Sequence, residues 1–304
     1  MLISLLITLY TGYIYTLNTF KWIFMRVAII GYGFVGKAIE FGTKKSVEII
    51  RIDPNLNNNI SELVNFKPDI CFICVPTPMN DDGSQDIRIL ENVINDLLSN
   101  SIKSLFILKS TVLPNHVRNI KERIPELVLN PEFLRERYAN EDFINSKLIV
   151  LGGSEKSTKL AADFYKNYTK CKTTKYKFTD LISASLIKYT INTFLSLKVI
   201  YFNQLNDIFS ESNPSMEWED FIDIISIDER VGRSHMRVPG MDGKFGYGGP
   251  CFPKDCNALI KYSYDIGKPF ELLEKSSEIN NKIRKQYKTL SKREIEQNIN
   301  YNKK

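Results

Sequence analysis

A single cysteine, Cys251, lies in the stretch with the clearest potential for covalent chemistry. Lys254 and Asp255 follow it closely, and Gly248 and Gly249 precede it. A thiol is a good nucleophile only as its thiolate, and a nearby ammonium such as that of Lys254 stabilises this anion. Glycines allow the backbone to approach a ligand closely. The pattern favours a reactive cysteine, although an ordinary loop cysteine near a helix start would also fit it.

A glycine-rich turn near the other end of the chain predicts a dinucleotide-binding fold. An apolar strand at residues 27–30 runs directly into the turn, which carries Gly31, Gly33 and Gly36 and leads into a helical pattern. In such a turn, backbone N–H groups and the helix dipole receive a pyrophosphate. The next strand ends in Asp53, where a carboxylate accepts from a ribose 2′-OH and repels a 2′-phosphate. The sequence therefore predicts NAD rather than NADP, unless Asp53 is only a turn residue.

A segment without glycine or proline, residues 181–209, predicts a helix about 43 Å long. It is apolar on nearly all sides, which implies burial in a core or against a second subunit. A narrow polar stripe interrupts it, because Ser185, Lys188, Asn192 and Ser196 recur at helical spacing on one face. A lysine among apolar neighbours is costly unless it meets an anion or a reacting oxygen. We expect Lys188 and Asn192 to line one wall of a site.

Two glutamates predict a second wall. If Pro131 opens a helix, Glu132 and Glu136 share a face and repel each other, a pairing that structure alone would not favour. The alternative is a solvated acidic helix end. The sequence thus offers paired carboxylates, an amide, an ammonium and a thiol as candidates for one site.

Composition narrows the class of protein. With 304 residues, 43% hydrophobic and 25% charged, the chain can bury one large core or two moderate ones. The net charge of +6 is spread along the sequence, with no basic patch interleaved with aromatic residues, so nucleic acid is not an expected partner. Five cysteines without regular spacing indicate a reducing, cytoplasmic compartment. Cys71 and Cys74 lie three residues apart in an apolar strand and face opposite ways, so we expect core residues and no metal site.

The first 24 residues form an apolar extension. The stretch is about long enough to span a bilayer, but it contains six serine, threonine or asparagine residues and lacks a basic start and a cleavage site. Met25 is a natural beginning for the first strand of a dinucleotide fold. We therefore favour a start assigned too early or a disordered extension, with a membrane anchor as the alternative.

The pattern of strands and helices predicts an α/β protein. Short apolar strands alternate with helical stretches over residues 25–178, as in a Rossmann-like doubly wound sheet. An α-helical central and dimerisation domain is expected over residues 179–290. Residues 282–304 are polar, and we expect a frayed helix or linker there, with residues 291–304 as a tail.

The order of the motifs resembles that of the UDP-glucose/GDP-mannose dehydrogenase family, from about Met25 to about Arg284. The matching stretches are Gly31 to Gly36, Asp53, Val75 to Pro78, Lys109 to Val112, Asn130 to Leu134, Lys188 with Asn192, Asp228 to Gly232, and Gly248 to Asp255. Any one of these stretches could arise by chance. Eight in the same order make the resemblance specific.

The resemblance implies an enzyme that oxidises a sugar C6 alcohol to a carboxylate with two NAD. Cys251 matches the nucleophile, Lys188 and Asn192 the groups that hold the oxyanion, and Glu132 the base that activates water. Asp255 and Thr111 match residues that order water. The positions that match cofactor contacts are Gly31, Gly33, Phe34, Val35, Gly36, Asp53, Val75, Pro76, Thr77, Ser110 and Thr111. Those that match substrate contacts are Phe133, Leu134, Glu136, Lys188, Asn192, Arg230, Gly248, Gly249 and Lys254.

The resemblance also implies a homodimer built on the 181–209 helix, because Arg230 matches an arginine that reaches the neighbouring subunit's substrate. The chain stops at Lys304, where the family continues into a third domain that grips the nucleotide, and Arg137 replaces a usual glycine. UDP-glucose is the expected substrate. The alternatives are GDP-mannose, a UDP-N-acetylhexosamine, or a non-catalytic NAD-binding dimer. The last would not need Cys251, Lys188, Asn192 and Glu132 together.

Overall fold

The computed structural model describes residues 25–302, so the interpretation of residues 1–24 lies outside the described part. The chain forms two compact units. Within the described part, the first unit comprises residues 25–75, 91–110 and 120–184, and the second comprises residues 76–90, 111–119 and 185–302. The division after Ala184 lies close to the domain boundary expected at residue 178. Two short segments of the first half, however, belong to the second unit.

A seven-stranded sheet forms the first unit, in the order β2-β1-β3-β4-β5-β6-β7. Neighbouring strands run parallel except β5 and β6, which pair antiparallel. The strands are β1 Met25–Ile30, β2 Val47–Ile52, β3 Ile70–Ile73, β4 Leu105–Leu108, β5 Val128–Leu129, β6 Ile149–Gly152 and β7 Tyr176–Thr179. This confirms the predicted doubly wound α/β class. The short strand β7 was not predicted, because it lacks a run of apolar residues and its two central residues are exposed.

Helices connect the strands and build the second unit. In chain order they are α1 Phe34–Gly42, α2 Leu63–Phe66, α3 Arg88–Ser99, α4 Pro114–Arg123, α5 Ala139–Ile144, α6 Glu155–Tyr168, α7 Leu181–Glu211, α8 Trp218–Ser226, α9 Phe252–Asp265, α10 Glu271–Arg284 and α11 Lys292–Glu296. The long helix α7 matches the predicted 181–209 segment closely. Among residues 25–302, no helix combines the length and apolar character needed to cross a membrane.

The core of the first unit lies between apolar strands and helices. Val27 and Ile29 on β1 and Phe72 on β3 pack with Tyr165 on α6. Strands β1 and β3 are apolar almost throughout, as parallel strands covered on both faces must be.

Both cysteines of the predicted core strand are free thiols. Cys71 is fully buried, and Cys74 packs against the same apolar cluster. Burial raises the pKa of each to about 12, so both sulfurs are neutral thiols at physiological pH. The assignment of Cys71 to the core is confirmed, whereas Cys74 is partly buried at the edge of the core.

The expected linker after residue 282 is wrong for the described residues. Helix α10 continues to Arg284, and α11 begins after Ser291 with a reciprocal capping box between Ser291 and Glu294. Ile299 and Tyr301 are buried. Two well-placed apolar side chains and a strong helix cap therefore order a segment whose average composition is polar.

A buried polar cluster joins the carboxyl ends of two central strands. Lys109 follows β4 and donates from Nζ to Asn130 Oδ1 at 2.9 Å, just after β5. The Tyr165 hydroxyl donates to the same oxygen at 2.5 Å, and Asn130 Nδ2 donates to the Val150 carbonyl at 2.8 Å. Since buried polar groups need partners, Asn130 stabilises this part of the sheet by accepting from both Lys109 and Tyr165 and donating to β6.

We expect Asn130→Ala to lower the free energy of unfolding by about 1–3 kcal/mol, because buried donors lose their shared acceptor. Denaturant unfolding of the whole protein measures the change. Asn95→Ala is the matched control, since Asn95 accepts from Arg123 at 2.5 Å on the exposed surface of the same unit. Its expected loss is below about 0.5 kcal/mol. Equal losses for the two variants would contradict the role assigned to Asn130.

Candidate active site

The turn between β1 and α1 has the backbone geometry of a dinucleotide-binding loop. Gly31 has φ +90°, and a Cβ there would lie 2.8 Å from the Cys74 carbonyl group. A Cβ at Gly36 would lie 2.5 Å from the Gly31 oxygen, so α1 packs closely against the turn. Gly33 is the N-cap of α1, and open space surrounds the position that a Cβ would take. The glycines thus allow a tight turn, close helix packing and close approach of a ligand.

Asp53 ties this turn to the end of β2. Its Oδ2 accepts from the Tyr32 N–H at 2.7 Å, and its Oδ1 accepts from the Asn55 N–H at 2.9 Å. Partial burial opposes ionisation, but these backbone donors outweigh it and hold the pKa of Asp53 below its usual value. Asp53 is therefore both a turn residue and an anion beside the glycine loop. The contact with Tyr32 was not predicted, because it depends on a backbone N–H that side-chain patterns do not reveal.

The remaining predicted cofactor residues fall in both units. In the first unit, Ser110 Oγ donates to the Val75 carbonyl at 2.6 Å, and the Val75 nitrogen borders Gly31. In the second unit, Thr77 Oγ1 donates to the Thr111 carbonyl at 2.8 Å. Pro76, also in the second unit, is exposed. The structure thus gathers the glycine turn, Asp53, Val75 and Ser110, and separately pairs Thr77 with Thr111.

The residues of the first unit fit NAD. The N–H groups of Phe34 and Val35 open helix α1 and would receive the pyrophosphate at the positive end of the helix. The Asp53 carboxylate would accept from the adenosine ribose. Within residues 25–302, no group of three or more His, Cys, Asp or Glu side chains is arranged to hold a metal ion.

The polar stripe of α7 is buried in the second unit. Ser185, Lys188, Asn192 and Ser196 are each less than 10% exposed. Asn192 Nδ2 donates to Asp255 Oδ2 at 2.6 Å, and Lys254 Nζ donates to Asp255 Oδ1 at 2.6 Å. The stripe is therefore not a solvated edge of the helix. An amide, two ammonium groups and a carboxylate share the interior of one unit.

Cys251 is the N-cap of helix α9 and is half-buried. The positive end of a helix dipole stabilises an anionic sulfur at this position. Lys254, which the sequence assigned to that task, forms an ion pair with Asp255 at 2.6 Å. Its charge is therefore shared with a carboxylate, and the helix N-terminus provides stabilisation that the sequence pattern did not specify.

Gln85 is a residue of this unit that sequence reasoning missed. Its Nε2 donates to the Thr111 carbonyl at 2.8 Å and to the Tyr189 hydroxyl at 3.0 Å. Its Oε1 accepts from the Leu113 N–H at 3.0 Å. Gln85 thereby fixes the Thr111 segment against α7. No local pattern marks it, because it lies in a loop and acts through a segment distant in sequence.

The two glutamates of the predicted second wall do not share a helix face. The backbone at residues 131–135 is not helical, and a 3₁₀ turn at Glu136–Tyr138 follows. Glu132 is buried and its Oε2 accepts from the Leu134 N–H at 2.6 Å, whereas Glu136 is exposed. The expected helix opening at Pro131 is wrong, because this local side-chain bond replaces a helical one. Phe133 and Leu134 are partly buried.

The remaining substrate candidates have other partners in this structure. Arg230 is exposed and its guanidinium pairs with Asp228 through two nitrogens. The Gly249 N–H donates to Glu294 Oε1 at 3.1 Å. A substrate contact from Gly249 would therefore use another atom or displace Glu294. The role of Arg230 at a neighbouring subunit stays a prediction.

We expect Asp53→Ala to weaken NAD binding and to narrow the preference for NAD over NADP by about ten-fold or more, because both the 2′-OH acceptor and the repelling charge are lost. Titration of each cofactor, followed by fluorescence or calorimetry, measures the two dissociation constants. Asn55→Ala is the control, since Asn55 Nδ2 bonds Asp53 Oδ1 at 2.9 Å and its loss leaves the carboxylate in place. An unchanged NAD to NADP ratio in Asp53→Ala would reduce Asp53 to a turn residue.

Comparison with known proteins identifies both halves of the chain. Residues 55–169 match the NAD binding domain of the UDP-glucose/GDP-mannose dehydrogenase family, and residues 182–282 match its central domain. UDP-glucose 6-dehydrogenase of Campylobacter jejuni is 29% identical over 300 residues, covering 87% of this chain and 74% of that protein. UDP-glucose 6-dehydrogenase of Rickettsia conorii is 33% identical over 224 residues, covering 71% of this chain and 49% of that protein. The chain thus spans about half to three quarters of these relatives.

Solved structures agree at the level of fold. A UDP-glucose dehydrogenase from Pyrobaculum islandicum superposes with a TM-score of 0.72 at 24% identity, covering 85% of this chain and 68% of that one. A UDP-D-ManNAc dehydrogenase from Pyrococcus horikoshii superposes with a TM-score of 0.66 at 19% identity, covering 86% of this chain and 69% of that one. The NAD-binding turn, the fold and the two matching domains lead to one conclusion. The chain belongs to the UDP-glucose/GDP-mannose dehydrogenase family, and its first domain is an NAD-binding domain.

Proposed function

We propose that the protein is an NAD-dependent nucleotide-sugar 6-dehydrogenase that converts UDP-glucose to UDP-glucuronate. One observation carries the proposal: buried Asp255 joins Asn192 on α7 to the start of α9, the helix that Cys251 caps. A structural core does not need a thiol, an amide and two ammonium groups arranged in this way. A protein that only binds NAD does not need them either.

Asn192 has the donor capacity that an oxyanion site requires. Its amide nitrogen carries two hydrogens, and one of them goes to Asp255 at 2.6 Å. The other can donate to an oxygen at C6 of the sugar, while the Lys188 ammonium on the same face supplies positive charge. Because the site is buried, such charge stabilisation is stronger than it would be in water.

The proposed reaction has two oxidations at one carbon. NAD, when bound, accepts the hydride in each of them. In the first, the C6 hydroxyl proton leaves through water ordered by Asp255 and Thr111, and the alcohol becomes an aldehyde. Lys188 and Asn192 hold the oxygen as negative charge develops on it.

Cys251 makes the second oxidation possible. Its thiolate adds to the aldehyde carbon and forms a thiohemiacetal, which becomes a thioester when the hydride leaves. Water activated by Glu132 then attacks the thioester carbon, releasing the carboxylate and the Cys251 thiol. The covalent bond keeps the aldehyde in the site between the two oxidations.

We expect two NADH to form per sugar oxidised, because the route removes four electrons from C6. Absorbance at the NADH band, together with chromatography of the sugar product, gives this ratio. Cys251→Ser should abolish acid formation while NAD binding is retained, since a hydroxyl is a poorer nucleophile and leaving group. Cys171→Ser is the control, because Cys171 is a partly buried thiol of the first unit. One NADH per sugar with free aldehyde released, or full activity of Cys251→Ser, would remove the covalent step.

The sugar itself is assigned by similarity to relatives named for UDP-glucose. The Pyrococcus horikoshii neighbour is named for UDP-D-ManNAc, and another, from Pseudomonas aeruginosa, for GDP-mannose. A panel of UDP- and GDP-sugars in the NADH assay therefore decides the substrate. The highest kcat/KM is expected for UDP-glucose. Absence of turnover with every sugar would favour the alternative of a non-catalytic NAD-binding protein.

A groove on the second unit supports the proposed homodimer. It measures about 680 Å³ and is lined by Phe194 and Tyr201 of α7, Leu272 of α10 and Arg230. The three apolar side chains are each more than 60% exposed. Apolar surface in water costs about 25 cal/mol per Å², so a second copy that covers this groove would be stabilised. The apolar pattern of residues 181–209 predicts an outward-facing Phe202, but this side chain is buried in an apolar cluster with Ile222 and Met236, although it also borders the groove.

We expect two inactive variants to restore activity when their subunits are mixed. Arg230→Ala removes the arginine proposed to act on the neighbouring site, and Cys251→Ser removes the nucleophile of its own site. A mixed dimer then contains one intact site, and random mixing should recover about a quarter of the unmutated activity. No recovery in demonstrably mixed dimers would place Arg230 in its own subunit's site or outside any site.

The variant Tyr201→Asp tests whether the groove is the interface of the proposed homodimer. It should convert the dimer to a monomer in light scattering and lower activity, because a charge in the covered groove is costly. Ile266→Asp is the matched control, since Ile266 is 52% exposed and does not line the groove. A fully active Tyr201→Asp monomer would refute both the interface and the role of Arg230.

A further inference from the structure

The C-terminal strap, residues 291–302, packs against the rest of the second unit. The Met79 N–H donates to the Gln297 carbonyl at 3.2 Å, and Asn298 Nδ2 donates to the Met79 carbonyl at 2.9 Å. Ile299 and Tyr301 are buried. These contacts fix the strap at the residues that follow α11.

Glu294, inside the strap, has a carboxylate surrounded by donors. Its Oε2 accepts from the Ser291 N–H at 2.8 Å and from Ser291 Oγ at 2.9 Å. Its Oε1 accepts from the Tyr301 hydroxyl at 2.7 Å and from the Gly249 N–H at 3.1 Å. Although Glu294 is buried and its burial opposes ionisation, these donors hold the pKa of Glu294 below its usual value. Glu294 is therefore an ionised acceptor at physiological pH.

The strap reaches the nucleophile loop through this carboxylate. Gly249 adopts φ +77° two residues before Cys251, so its N–H direction sets how the chain enters helix α9. The Arg284 guanidinium occupies the space beside Gly248, where a Cβ would lie 1.4 Å from its Nη2. Arg284 Nη2 is itself 3.8 Å from Glu294 Oε1. The loop is thus held by Arg284 at Gly248 and by Glu294 at Gly249.

We propose that Glu294 is a positioning residue for Cys251. It fixes the Gly249 peptide so that the sulfur at the start of α9 keeps one orientation toward the reacting carbon. This inference rests on the proposed function for its catalytic consequence, but the contact itself can be measured without turnover. Small displacements of a reacting group lower rates strongly, so the effect belongs to kcat rather than to cofactor binding.

Three variants test the proposal in the full chain. Glu294→Ala removes the acceptor, Glu294→Gln keeps an oxygen that can accept from Gly249, and Glu296→Ala is the control. Glu296 lies on the same short helix, but its carboxylate pairs with Arg293 at the surface, at 2.5 Å. The measurements are amide hydrogen exchange of the peptide covering residues 246–252, kcat, and the dissociation constant of NAD.

In Glu294→Ala we expect faster exchange in the 246–252 peptide and a loss of kcat of about ten-fold or more, with NAD affinity unchanged. Glu294→Gln should restore most of the protection from exchange and most of kcat. Glu296→Ala should match the unmutated protein in both measurements. Equal exchange and equal kcat in Glu294→Ala and Glu296→Ala would overturn the proposal. So would a kcat loss accompanied by an equal loss of NAD affinity, because that result indicates general unfolding.

A milder variant covers the case in which Glu294→Ala does not fold. Tyr301→Phe removes one donor to Glu294 and keeps the buried ring, so exchange at residues 246–252 should rise by a smaller factor. Unchanged exchange in Tyr301→Phe would overturn the proposal. If no sugar is turned over by the unmutated protein, the proposed function fails. The rate of Cys251 alkylation by iodoacetamide, mapped by mass spectrometry, then replaces kcat and must change in Glu294→Ala but not in Glu296→Ala.

Discussion

A carboxylate that cannot reach solvent organises the second unit. Asp255 is 1% exposed, and it accepts from the Lys254 ammonium and the Asn192 amide at 2.6 Å each. The Asn192 amide is the partner on the other helix, and losing such a hydrogen bond to a buried charged group typically costs about 1.5–3 kcal/mol. The start of α9 therefore cannot move away from α7 without a large penalty. Because Cys251 is the N-cap of α9, its backbone position is fixed as well.

In the first unit, backbone atoms rather than buried side chains form the cofactor turn. Its cofactor turn depends on places where a Cβ cannot fit and on one carboxylate that holds a peptide N–H of the same turn. Side chains play a small part, so the turn can accept a pyrophosphate with little rearrangement. The first unit thus offers preorganised N–H donors for the cofactor, and the second unit offers buried charged groups. The proposed dehydrogenase chemistry requires both.

The sequence predicted the features that repeat locally. The parallel strands, the glycine turn and the long helix α7 follow from apolar runs, glycine spacing and an uninterrupted helical pattern, and the structure confirms them. The stripe of Lys188 and Asn192 was also predictable, because helical spacing alone places both on one face. Domain matches confirm the family that eight ordered motifs suggested.

What the sequence did not predict depends on contacts distant along the chain or on side chains that replace backbone bonds. Glu132 bonds the Leu134 N–H and so prevents the helix expected after Pro131. Phe202 faces inward because α8 and the residues after it pack on that side of α7. Gln85 and Glu294 act on segments far from them in sequence, and no periodic pattern reports such contacts.

The pairing of Gly249 with Glu294 has a temporal consequence. Residue 294 leaves the ribosome well after the nucleophile loop, and Met79, another partner of the strap, is made more than two hundred residues earlier. Contacts of such long sequence separation form late in folding, because their loop-closure entropy must first be overcome. A nascent chain can therefore complete its NAD-binding sheet before the nucleophile loop has reached its final conformation.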